Sequence, residues 1–161
     1  MNLDHIDLRL LDLLQTDASR SNLALAEQAG VSPATALRRV RRLVDTGVIE
    51  RQVALLNPFA LGEGLTALLE VTLDRQGAEH LDAFEARAVA ESAVQQCWRV
   101  APGPDFVLVL WVPAMHAYQA LVQRLLTQDA NVRNVKAYFS VKRAKFDPRI
   151  TLPQISAAPD P

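Results

Sequence analysis

The sequence predicts an α+β protein in two parts, a winged helix-turn-helix domain followed by a ferredoxin-like βαββαβ domain. Three observations predict it. Apolar residues recur at helical spacing through the first third of the chain. Two of the short helices this implies are separated only by Gly30, Val31 and Ser32. From residue 65 the patterns run strand, helix, strand, strand, helix, strand. The first two features are the sequence form of a helix-turn-helix and the third is the ferredoxin-like order. The boundaries that follow are 1–50 for the helix-turn-helix domain, 51–64 for a strand or wing and linker, 65–153 for the ferredoxin-like domain and 154–161 for a flexible tail.

The first helix is expected over 4–16, with Asp4 as N-cap and Leu3 placed to staple against Leu8. Ile6, Leu10, Leu13 and Leu14 form its buried face. The second spans 22–29. Ser21 caps it, Leu25, Ala26 and Ala29 pack, and Gly30 takes the left-handed position after its end. The third opens with Ser32 as N-cap and Pro33 at the first helical position, where proline is tolerated. Leu37, Val40, Leu43 and Val44 are its expected buried stripe, and Gly47 ends it. Residues 48–58 alternate polar and apolar and read as a strand pair or wing, and Pro58 and Gly62 mark the linker.

In the second part, strands are expected over 65–74, 93–101, 105–113 and 134–146. The third of these is almost wholly apolar, as a central strand is. Helices are expected over 77–90, with Leu81, Phe84 and Ala88 inward, and over 115–128, with Tyr118, Leu121, Val122 and Leu125 inward.

Composition excludes several classes of function. The net charge is −1, so no global basic field attracts nucleic acid, and any such case rests on local clustering. The single cysteine, Cys97, rules out an internal disulfide and sits in a strand pattern as a small hydrophobe. The first residues carry Asp4 and Asp7 and no basic segment, and the apolar runs are too short to span a membrane. A cytoplasmic protein without membrane association is expected. No His/Cys/Asp cluster has metal spacing, no glycine-rich phosphate loop is present, and no nucleophile stands beside a base. The expectation is therefore a protein without catalytic residues, metal or cofactor, and not an enzyme.

One stretch carries chemistry. "SPATALRRVRRL" places Arg38, Arg39, Arg41 and Arg42 within five positions of the third helix, and residues 33–44 contain no acid. A helix face meant only for water usually interleaves Glu with Arg. A recognition helix has small residues near its start, where it approaches base edges, and cationic side chains further along for bases and phosphates. Ala34, Thr35 and Arg38 are the candidates for base edges. Arg39, Arg41 and Arg42 are candidates for phosphate contacts or partly structural roles. Ser21 and Ser32 put helix N-termini where phosphates can sit.

With these residues in view, the chain resembles the Lrp/AsnC (leucine-responsive, feast/famine) family of transcriptional regulators. The resemblance rests on "LDHIDLRLLDLLQTDASRSN", on "GVSPATALRRVRRLVDTGVI", on the exit "ALLNP" and on "VPAMHAY" leading into the second helix of the βαββαβ part, and it covers roughly 3–153. It implies a regulator that binds pseudo-palindromic double-stranded operators as a homodimer, with dimers assembling further to octamers. It also implies an amino-acid effector held between C-terminal domains, each sheet being half of a sandwich. The alternating Val107, Val109, Trp111 and Leu108, Leu110, Val112 fit that.

The effector positions depart from the family pattern. Its Gly-Asp-x-Asp-Tyr/Phe loop is "APGPDF" here, from Ala101 to Phe106. Pro102 and Pro104 each remove a backbone donor. A Thr-x-Thr pair on the last strand is replaced by Val135 and Ala137. Either Asp105 still holds an effector's ammonium group and loop N–H groups at Ala101 and Gly103 its carboxylate, or the pocket is closed and the domain only assembles. A rival reading of the whole chain is a winged-helix protein-interaction module with a purely structural second domain.

Overall fold

The computed structural model describes residues 2–153. The tail expected over 154–161 lies outside the described residues. The chain forms two compact units. One runs to Leu55 and takes in the stretch from Lys145, and the other is Leu56–Ala144.

The first unit holds helices α1 (His5–Thr16), α2 (Asn22–Ala29) and α3 (Pro33–Asp45). Each begins as its sequence dictates. Asp4 accepts from the Asp7 N–H while the Asp7 side chain accepts from the Asp4 N–H, a reciprocal capping box. Ser21 and Ser32 cap α2 and α3 through their hydroxyls. Gly30, at φ +71°, turns the chain out of α2 at no steric cost. Leu10, Leu14, Leu25, Ala26, Ala29 and Ala36 are buried together, with Ile6, Leu13, Val40 and Ile49 packed against them. Leu43 is fully buried as well.

After Gly47 the expected strand pair is absent, and residues 50–57 form no ladder. Alternation alone cannot make a strand, because each N–H and C=O needs a partner strand beside it, and this stretch has none among the described residues.

The second unit is a four-stranded antiparallel sheet in the order β2-β3-β1-β4. Its strands are β1 (Leu65–Leu73), β2 (Val94–Arg99), β3 (Phe106–Val112) and β4 (Val132–Phe139). Helix α4 (Ala78–Ala90) and helix α5 (Met115–Val122), which continues as a π-helical stretch over Gln123–Thr127, cover one face. That face buries Ala67, Leu69, Val71 and Leu73 with Phe106, Leu108 and Leu110, against Phe84, Leu121 and Leu125. The apolar β3 is central, as expected. On the opposite face, Val107, Val109 and Trp111 are half-buried, and Leu68, Trp98 and Tyr138 around them are exposed.

The last strand is shorter than its pattern suggests. It stops at Phe139 rather than 146 because β1 begins at Leu65. The Ser140 N–H makes the last bond, to the Thr66 carbonyl at 2.9 Å, and beyond it the ladder has no partner. Residues from Lys145 then pack with the first unit instead of the second. No helix among the described residues is long and apolar enough to cross a membrane.

Candidate nucleic-acid interface and effector loop

Helix α3 is amphipathic, but its buried stripe is rotated from the expected one. Ala36 and Leu43 are fully buried and Val40 is half-buried, at i, i+7 and i+4. Leu37 and Val44, expected inside, are exposed at 41% and 46%. Ala36 packs against Leu10, Leu14, Leu25, Ala26 and Ala29, and this packing of α3 on the other helices sets which stripe is inward. The outward face therefore reads Ala34, Leu37, Arg38, Arg41 and Asp45, and these line a shallow concavity of about 560 Å³ together with Arg42.

The four arginines divide into two pairs. Arg39 Nη1 lies 2.6 Å from Asp4 Oδ2 and 2.9 Å from Asp7 Oδ1, and Arg42 donates to Asp7 Oδ2. Asp7 is 1% exposed, the buried charge of the first unit. The Asp4 carboxyl is held below its ordinary 3.8 by the Asp7 N–H and then by Arg39, and the Arg39 guanidinium is raised in return, first by Asp4 and then by Asp7. Arg39 and Arg42 thus tie α3 to α1 in this chain. Their acids lie 32 to 35 residues upstream, outside the 33–44 stretch, which itself contains no acid. Arg38 and Arg41 have no hydrogen-bond or ion-pair partner among the described residues.

The turn before α3 is fixed. Asn22 Nδ2 donates to the Pro33 carbonyl at 2.8 Å, tying the start of α2 to the start of α3. Ser32 Oγ accepts from the Thr35 N–H at 3.2 Å and donates to Thr35 Oγ1 at 2.9 Å. Thr35 is half-buried, Ala34 is exposed, and Ser21 and Ser32 are both at exposed helix starts. Each of these helix starts leaves N–H groups that the helix itself does not bond, an arrangement suited to anions.

In the second unit, residues 101–104 connect β2 to β3, and the Val100 N–H donates to the Asp105 carbonyl at 3.0 Å across their base. Ala101 and Gly103 are exposed, Gly103 has φ +123°, and the Ala101–Pro102 bond is cis. With Pro102 and Pro104 lacking N–H groups, Ala101 and Gly103 supply the loop's donors. Asp105 is already engaged. Its Oδ2 accepts from the Leu73 N–H at 2.7 Å and from Gln76 Nε2 at 3.3 Å. Its own N–H donates to the Val71 carbonyl at 2.9 Å. The carboxylate therefore anchors the hairpin to the end of β1. Val135 and Ala137 pair with Val71 and Leu69 in the register, so β1 lies between them and the loop. One chain alone brings the loop and these β4 positions only to either side of that strand.

Sequence reasoning missed Asp7 and misplaced Leu37. The signal for Asp7 was present: at 7, 10 and 14 it shares a helical stripe with Leu10 and Leu14, and an acid on an apolar stripe needs a buried cation.

Residues 3–50 match the family model described as winged helix-turn-helix DNA-binding, and residues 66–150 match the Lrp/AsnC ligand binding domain. The leucine-responsive regulatory protein of Rhizobium meliloti is 37% identical over 145 residues, covering 90% of this chain and 93% of that one. Among solved structures, the chain is similar to an AsnC family transcriptional regulator from Agrobacterium tumefaciens, at TM-score 0.83 and 26% identity over 92% of this chain and 96% of that one. It is also similar to a transcriptional regulator from Neisseria meningitidis in complex with L-Met, at TM-score 0.84 and 27% identity over 93% and 97% of the two chains.

Proposed function

The chain belongs to the Lrp/AsnC family of transcriptional regulators, and from that premise we propose that the outward face of α3 reads an operator while the second unit pairs the chains and holds a small amino-acid-like effector. It is a regulator with a DNA-binding and a ligand-binding domain, not an enzyme.

The observation that carries the DNA assignment is the division of the arginines. Arg39 and Arg42 are neutralised by α1, whereas Arg38 and Arg41 project from the exposed face with their donors unused. Arginine's planar fork matches guanine O6 and N7 or a phosphate. Arg38, one turn from the helix start beside Ala34 and Thr35, reads a base edge. Arg41, a turn later, contacts a base or a phosphate, and the starts of α2 and α3 at Ser21 and Ser32 seat phosphates.

Two copies joined through the outward sheet face would present two such helices to a pseudo-palindromic duplex. An apolar sheet face of this kind is stable when it packs on another, and further assembly of dimers, to octamers, builds on that pairing. The effector is an amino acid, by analogy with the L-Met complex of the Neisseria regulator. It is held by the Ala101 and Gly103 N–H groups, beside the apolar Val135 and Ala137 of a neighbouring copy, with the second oxygen of Asp105 facing its ammonium.

The test is fluorescence anisotropy of the full chain on a duplex selected from a random library, against a scrambled duplex and over a salt series. Binding should be selective and fall steeply with salt as phosphates are neutralised. Arg38→Ala should weaken the selected duplex by about 10- to 100-fold and the scrambled one far less. Equal losses on both would remove Arg38 from base reading. Titrating the twenty amino acids into the complex tests the effector.

A further inference from the structure

Leu37 lies in the middle of the reading face, one helical turn after Ala34 and one before Arg41, with Arg38 beside it. It is 41% exposed although the core of the same unit packs Leu10, Leu14, Leu25 and Leu43 almost completely. The rotation of α3 that buries Ala36 is what turns Leu37 outward.

A single exposed leucine needs no explanation in general. This one has a particular setting. It shares the face with Ala34, the unpartnered Arg38 and Arg41 and, further along, Arg42 and Asp45, so whatever seats beside Arg38 and Arg41 meets Leu37 as well. Leucine can neither donate nor accept a hydrogen bond, and placed over a guanine, cytosine or adenine edge it would leave polar base atoms without water or partner. The major groove offers one apolar group, the C5-methyl of thymine. We infer that Leu37 is a specificity-determining residue that packs on a thymine methyl, next to the base read by Arg38. This rests on the DNA reading above and goes beyond it by assigning an apolar contact to a position outside the arginine set.

The experiment uses the full chain and a duplex enriched from a random library by that chain. Thymines of the enriched duplex are replaced one at a time by deoxyuridine, which removes only the methyl group and leaves every hydrogen-bonding atom in place. Affinities are measured for the wild type and for Leu37→Ala. One thymine in each half-site should show about fourfold weaker binding on replacement, the effect of leaving roughly one methyl group unburied. Leu37→Ala should bind the thymine and deoxyuridine duplexes with nearly equal affinity at that position, while its preference at the Arg38 position persists. Because Leu37 is exposed, the variant's folding is checked simply by an unchanged melting curve. The inference is overturned if no replacement weakens the wild type, or if Leu37→Ala weakens all duplexes alike and keeps the thymine-to-deoxyuridine ratio. If the wild type enriches no motif at all, the DNA reading itself fails, an outcome distinct from a motif that is enriched but indifferent to the methyl.

Discussion

Asp7 is where charge and packing meet at the scale of a single residue. Its two oxygens serve Arg39, Arg42 and the Asp4 N–H, and it has almost no contact with water. Such a carboxylate gains little over a well-packed apolar side chain, but removing its charge leaves the Arg42 guanidinium without its counterion and Arg39 with Asp4 alone. Asp7→Asn should therefore lower the unfolding free energy by about 1–3 kcal/mol, read from the urea midpoint. It should also weaken selective DNA binding, since α3 loses its fastening to α1. An unchanged midpoint would mean that the arginines hold α3 without it. The chain shows this arrangement only in part. The clustered arginines stand out in the sequence, and Asp7 stands on an apolar stripe. Which arginine meets which acid is set by how α1 and α3 cross, and a separation of 32 to 35 residues carries no local trace of that crossing.

At the scale of elements, local chemistry dictated starts better than faces and ends. Ser21, Ser32 and Asp4 cap their helices because a side-chain oxygen satisfies an N–H that has no other partner. The stripe of α3 was harder to place because Ala36 and Leu37 are adjacent and both apolar, and only the tertiary packing of the three helices decides which of them is inward. The end of β4 was harder still, since it depends on where β1 begins. The β2–β3 hairpin shows the same dependence. Asp105 follows Pro-Gly-Pro and so reads locally as a turn residue, yet its oxygen reaches across to Leu73, the final residue of β1. Asp105→Ala leaves that N–H without its partner and should cost the second unit about 1–3 kcal/mol. Amide hydrogen exchange at Leu73 should accelerate first, while Asp105→Asn, which keeps an acceptor, should retain much of the protection. Unaltered exchange at Leu73 in the alanine variant would show that the carboxylate anchors nothing. Any effector defect of Asp105→Ala must be read against this loss.

At the scale of the molecule, the path of the chain is the unexpected feature. It leaves the first unit after Leu55 and returns to it at Lys145, so among the described residues the DNA-binding unit is built from 2–55 and 145–153, with the second unit between them in the sequence. The returning segment is held by Gln15, whose Nε2 donates to the Ile150 carbonyl at 3.0 Å and whose Oε1 accepts from the Ile150 N–H at 3.2 Å, so that one side chain satisfies both backbone groups of that residue. Pro148, Ile150 and Leu152 then line one side of an apolar cavity of about 710 Å³ whose other side includes Leu11, Leu14 and Ile49. None of this is legible locally, because residues 147–153 have no periodicity, and their partner is set by the fold of the first fifteen residues. If the return segment braces α1, ending the chain at Ala144 should destabilise the first unit by about 1–3 kcal/mol through two lost hydrogen bonds and uncovered apolar surface. Gln15→Ala should remove about 1 kcal/mol of that. Amide exchange would then rise along α1 and stay level in β1 and β3, whose partners all lie within the second unit. Equal acceleration in both units would mean that the truncation acts on folding as a whole. No change in α1 would mean that the segment merely rests on the surface, and that the recognition helix takes its position from Asp7 and the helical core alone.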